Sequence, residues 1–163
     1  MNIKTVSTIL MLLFSSHLVA QQEPSLVSTK RMTMPTALMI AQAAIAECTR
    51  QGIQIGVTVV DREGIVQDTL RDTIAAQITV PISHRKAYTA ANFNSATSAL
   101  DDRANTPVGR APMILMSAGG LPIEVSGSLI GAVGVSGAPS GETDEQCAQA
   151  GLDAVLDDLE MAL

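Results

Sequence analysis

Tryptophan is absent from this sequence, tyrosine occurs once and phenylalanine twice. A core must therefore be built from small and aliphatic side chains, which are plentiful: almost half of the residues are apolar. Basic residues are also scarce. With 10 Lys and Arg against 16 Asp and Glu, the net charge is -6. That balance excludes a nucleic-acid partner, which needs a basic patch. There is no internal repeat, low-complexity tract or charge run, and 163 residues suit one domain with a real core. A Gly-x-Ser-x-Gly elbow is missing, and no Cys-His or Ser-His-Asp set assembles.

What is present begins with a targeting pattern. Lys4 supplies a positive start, Ser7 to Phe14 is an apolar run too short to span a bilayer, and Leu18-Val19-Ala20 ends in a small residue before Gln21. Residues 1–20 are expected to be a signal peptide, with an N-terminal anchor as the alternative. The expected location is periplasmic or secreted, with no membrane association after cleavage. Residues 21–31, polar and carrying Pro24, form a flexible leader, and 32–163 form the domain.

In the domain, Thr33 reads as an N-cap with Pro35 in the first turn, and Leu38, Ala41, Ile45 and Cys48 recur at helical spacing up to Gly52. Ile53, Ile55, Val57 and Val59 alternate as a strand. A turn at Asp61 to Gly64 and a return over Ile65 to Leu70 make a hairpin. Residues 71–80 read as a loop. Pro81 opens a helix to about Phe93, a further helical turn covers Ala96 to Arg103, and Pro112 to Met116 is a strand candidate.

Gly119 to Gly137 is the organising stretch: a turn, a short strand, a Ser126-Gly127 connection and a longer, uncharged strand. Leu129, Gly131, Val133 and Val135 alternate against Ile130, Ala132, Gly134 and Ser136. The strand is expected to be central and covered on both faces, and its glycines imply that a helix or a ligand packs close. Thr143 to Gln146 reads as a capping box for a last helix reaching almost to Leu163. The total is an α/β (α+β) fold: a five-stranded, mainly antiparallel sheet with helices for both faces, a three-layer arrangement.

Several stretches together resemble the GlcG/HbpS family of haem-binding-protein-like domains, also found in PduO-type proteins. They are Val59-Val60-Asp61 with Gly64, Lys86-Ala87-Tyr88-Thr89-Ala90, Gly119-Gly120-Leu121-Pro122-Ile123, Gly131 to Gly137, and Asp144-Glu145 with Ala148 and Gly151. The resemblance implies a profilin-like fold, a homo-oligomer and haem or another tetrapyrrole as ligand, without a general enzyme activity. The positive mean hydropathy of +0.29 in a chain with few charges also points to oligomerisation.

Beyond the targeting segment His84 is the one histidine, and a neutral imidazole is a good axial ligand for haem iron. Arg85 and Lys86 beside it offer cations for haem propionates, and Tyr88 lies one turn on. His84, Arg85, Lys86 and Tyr88 are therefore the candidate cofactor-binding residues, with a plain polar helix turn as the alternative. For Lys86, pairing with Asp61 or another acid stands level with ligand contact. Asp144 and Glu145 point about 100° apart on a helix, so complementing the helix dipole explains them better than acid–base chemistry. The loop Ser136 to Glu142 reads as a plain connection rather than an anion cradle, and Met113 and Met116 as core. Three functions stay open: an exported carrier or sensor component, an enzyme of haem breakdown or small hydroxy-acid oxidation, and an accessory to a periplasmic dehydrogenase.

Cys48 and Cys147 fall near the end of the first helix and the start of the last. Antiparallel packing of those helices would bring the two sulfurs across one seam, in a compartment that permits a bridge. Two separate thiols are the alternative, since Cys147 falls at the edge of its helix's apolar stripe.

Overall fold

The computed structural model describes residues 25–162. The expected signal peptide and the first residues of the leader lie outside them. The elements run α1 Met34–Arg50, β1 Gly56–Asp61, β2 Val66–Arg71, α2 Thr79–Phe93, a 3-10 helix Thr97–Arg103, β3 Gly120–Val125, β4 Ser128–Ser136, α3 Gly141–Asp153 and α4 Leu156–Met161. Neighbouring strands are all antiparallel, in the order β2-β1-β4-β3, so β1 and β4 are central.

Alternation along the central strands assigns the helices to opposite faces. Val57, Val59, Val133 and Val135 pack with Ile40, Ala41 and Ala44 of α1 and Ala148 of α3. Val60 and Ala132 pack instead with Ala87, Ala90 and Ala91 of α2. Each of those fully buried valines contributes about 1.5–3 kcal/mol relative to exposure. For Gly134 the close partner implied by the glycines of β4 is α2, whereas Gly131 meets the Val60 carbonyl and Met32. A Cβ at Gly134 would run into the Ser83 carbonyl oxygen and the Ala87 amide nitrogen.

The sheet has four strands among the described residues, not five. Segment 112–116 is not a strand: Met113 has φ +68°, and the backbone groups of its neighbours are claimed by α2. The Leu115 amide donates to Thr89 Oγ1 at 2.8 Å, and the Arg85 guanidinium donates to the Ile114 carbonyl. Ile114 and Met116 are buried with Leu100, Tyr88 and Phe93, which accounts for the strand-like apolar signal.

Other departures have local causes. A bulge between Ile123 and Glu124 leaves Ile130 without a partner on β3. Ile130 thereby joins the same side as Val133 and Val135 instead of the opposite one. The cap of α3 is Ser140, whose hydroxyl accepts the Thr143 amide at 3.2 Å, so the helix starts before the expected Thr143 box. The last helical stretch is not continuous: it stops at Asp153, buries Val155 and resumes as α4. α2 starts at Thr79, placing Pro81 in its first turn, where a missing amide costs nothing.

Candidate functional site

Helix α2 carries every candidate cofactor-binding residue, and the sheet divides them into two sets. Ser83, Lys86, Ala87, Thr89 and Ala90 are buried, while His84, Arg85 and Tyr88 are half-buried along the outer flank. The division follows from the 3.6-residue period: Ser83, Ala87 and Ala90 must be small to lie on Gly134 and Ala132.

Lys86 is the one long side chain on the buried face. Its Nζ donates to Asp144 Oδ2 at 2.8 Å and to the Val135 carbonyl at 3.0 Å. Both side chains are only 5% exposed. Asp144 Oδ1 accepts the Ala138 amide at 2.9 Å. Space for the pair comes from Gly119, with φ +116°: a Cβ there would lie 2.6 Å from Lys86 Nζ. The neighbouring Gly120 lets the sheet touch the Lys86 carbonyl, and its amide donates to Thr97 Oγ1. Of the two roles open to Lys86, pairing is the one formed, and the acid is Asp144 rather than Asp61. Burial pushes the Asp144 carboxyl above its ordinary value, while Lys86 and the Ala138 amide pull it back.

Asp144 and Glu145 do not converge. Glu145 accepts the Ser98 hydroxyl at 2.8 Å and the Gly119 amide at 3.2 Å. The loop before α3 spends the Ala138 amide on Asp144 and the Ser140 hydroxyl on its own helix, so it is a connection. Asp61 caps its turn by accepting the amides of Glu63 and Ile65, and takes the Arg31 guanidinium at 3.1 Å.

On the outer flank, Arg85 ties α2 to segment 112–116. Tyr88 packs against that segment and over Gly64, whose missing side chain makes room for the ring. His84 lies one turn beyond Pro81. Pro81, Ile78 and Gln77 line an open cavity of about 300 Å³. Ile78, which lines it, is 60% exposed. The structure thus brings His84, Arg85 and Tyr88 to one flank and takes Lys86 away from it. Among the described residues no group of three or more His, Cys, Asp or Glu is set to hold a metal ion. No described helix is long and apolar enough to cross a membrane.

The sequence reading passed over Asp144 as a partner for Lys86. The spacing marks its burial but not its partner: Asp144, Cys147, Ala148 and Gly151 fall at i, i+3, i+4 and i+7, and all four are buried. The same phase takes Cys147 off the edge of the stripe. Cys48 and Cys147 are joined by a disulfide with Cα atoms 5.6 Å apart, both residues fully buried where α1 meets α3.

Comparison with known proteins agrees with this architecture. Residues 32–153 match the family described as "Haem degrading protein HbpS-like". A 15.0 kDa protein from the dhaT-dhaS intergenic region of Citrobacter freundii is 31% identical over 129 residues, 75% of this chain and 90% of that one. Protein GlcG of Escherichia coli K12 is 33% identical over 108 residues, 64% of this chain and 81% of its own. The crystal structure of a double mutant of Streptomyces reticuli HbpS superposes with a TM-score of 0.77 at 35% identity, covering 84% of this chain and 95% of HbpS. With the motifs of α2, Gly119-Gly120 and β4 all inside the matched span, this chain, itself similar to GlcG, belongs to the HbpS-like family.

Proposed function

We propose that this protein binds haem or a related tetrapyrrole, and that it does so after export, as a carrier or sensor component. The observation that carries the reading is the family match over 32–153, whose description names haem. The outer flank of α2 fits such a group. His84 offers an imidazole as axial ligand, Ile78 and Pro81 offer an apolar wall, and Arg85 offers a cation for a propionate. Lys86 is not part of this set, because its ammonium is held by Asp144. Bound haem would supply a redox-active iron; the chain would supply the ligand, the wall and the exclusion of water from one face.

Export is supported by the Lys4 to Ala20 pattern and by the Cys48–Cys147 disulfide, which persists in oxidising compartments. Haem titration into purified protein is expected to shift the Soret band with a saturating endpoint, and His84→Ala is expected to abolish the shift. An unchanged Soret band would sink the proposal. A second reading, haem breakdown, is favoured by the word "degrading" in the family description. It requires added reductant and dioxygen; loss of the Soret band with a ring-opened product under those conditions would separate it from simple carriage.

The protein is further proposed to be a homo-oligomer, because apolar side chains such as Ile74, Ile78 and Met161 stand exposed. Light scattering at micromolar concentration checks this, and a monomer there refutes it.

A further inference from the structure

Among the described residues, two buried side-chain oxygens receive no hydrogen bond: Gln67 Oε1 and Asp68 Oδ2. They belong to adjacent residues of β2, an edge strand of the sheet. Adjacent residues of a regular strand face opposite ways, so such neighbours do not normally share an environment. Here a bulge changes that. Val59 pairs with Asp68 and Val60 with Val66, which leaves Gln67 as the extra residue.

Register then places both side chains on the α1 face. Asp68 lies opposite Val59, which packs with α1. Leu70, two residues on, lies opposite Val57 and packs against the same cluster. Gln67 reaches that face too: its Nε2 donates at 2.9 Å to the carbonyl of Met32, a member of that cluster. This bond fixes which end of the amide is which, because turning it over would set two oxygens against each other. Gln67 Oε1 is thereby held as an acceptor without a donor.

An unmet buried acceptor is costly, and more so on a charged group. Two on one face share a remedy, a positive centre that both can touch. Arg31, the residue before Met32, does not supply it, since Asp61 and Glu63 hold its guanidinium at 3.1 and 3.3 Å. Both acceptors are oxygens, one carboxylate and one amide carbonyl, which is the ligand chemistry of a hard cation. Asp68 is half-buried at the edge of the sheet, so water has access to complete a coordination shell. Irregular backbone with mixed carboxylate, carbonyl and water oxygens suits calcium, whereas magnesium demands a near-ideal octahedron.

We propose that Gln67 Oε1 and Asp68 Oδ2 bind a hard divalent cation, calcium in preference to magnesium, on the α1 side of the β1–β2 bulge. With one carboxylate the site is weak, of about millimolar affinity. It is separate from the His84 flank, which belongs to α2 on the other face of the sheet. The test uses the purified full chain, stripped with EDTA and exchanged into chelator-free buffer. Isothermal titration with calcium chloride is expected to show one site per chain. Calcium at about 10 mM is expected to raise the unfolding midpoint by about 3 °C or more, and magnesium by less. Asp68→Asn keeps the shape and brings an amide that can donate to Gln67 Oε1. It is expected to abolish the calcium-induced rise and, without metal, to be at least as stable as the wild type, because the unpaired charge is gone. Asp102→Asn, at an exposed carboxylate of the 3-10 helix, is expected to leave the rise intact. Four results would overturn the proposal: no calcium titration, a rise that survives Asp68→Asn, an equal rise in sodium chloride of matched ionic strength, or a metal-free Asp68→Asn clearly less stable than the wild type. The third would assign the rise to screening of the -6 charge, and the fourth would assign the two oxygens to bound water.

Discussion

At Lys86 and Asp144 two opposite charges are held away from water, with each remaining polar valence given to the backbone at Val135 and Ala138. Such a pair is close to neutral as a whole, but removing one partner strands the other. Lys86→Met and Asp144→Leu are each expected to destabilise the fold by about 3–5 kcal/mol, and the double variant to recover most of that loss. Denaturant unfolding measures all three. The pair also sets a pH dependence. Burial lifts the Asp144 carboxyl above its ordinary 3.8 in the folded chain. Over the window just above 3.8 the folded chain keeps a proton that the unfolded chain has lost. Ionising Asp144 therefore costs the folded chain more than the unfolded one, and stability falls as pH rises through this window. Across the window the wild type is expected to lose stability relative to the double variant, and a parallel pH profile for the two would contradict this.

At the scale of elements, the contact between α2 and β4 is a backbone-to-backbone approach that only glycine and small residues permit. Gly134→Ala would push the Ser83 carbonyl and the Ala87 amide off the sheet. It is expected to cost about 1–3 kcal/mol or more as overpacking. Gly127→Ala provides the contrast. Nothing lies within 4 Å of the new methyl, but φ is +73° in the two-residue hairpin turn. Its cost is expected at about 1–2 kcal/mol, from left-handed backbone alone. Chemical denaturation of the two variants distinguishes the mechanisms if Gly134→Ala also exposes α2 amides to hydrogen exchange and Gly127→Ala does not.

For the molecule as a whole, the bridge between Cys48 and Cys147 closes a loop spanning 99 residues and ties α1 to α3 on the face opposite α2. Restricting the unfolded chain over such a loop is worth about 4–5 kcal/mol in the chain-entropy model. Replacing both cysteines by alanine is expected to lower unfolding free energy by about that amount, measured by denaturant titration in the absence of reductant. Both cysteines are fully buried, so native protein is expected to resist reducing agent until it is unfolded. Rapid reduction of the native protein would contradict this.

Much of this molecule is written in local pattern. The Thr33 cap, the alternation of Val57 and Val59, the Ser126-Gly127 turn and the centrality of β4 follow from residue spacing, because backbone hydrogen bonding and side-chain period act over a few residues. The His84-Arg85-Tyr88 flank was equally legible, since neighbours on one helix stay neighbours wherever that helix docks. Tertiary contacts decided the rest. Ile114 and Met116 have an apolar signal that suits a strand or a covering segment, and Arg85 and Thr89 of α2 select the second. Ile130 changes sides because a bulge, fixed by the register with β3, interrupts the alternation. Lys86 and Asp144 stand 58 residues apart, and nothing local marks them as partners. Their meeting depends on how α2 and α3 approach the sheet around Gly119, and desolvation at that junction makes the pairing obligatory.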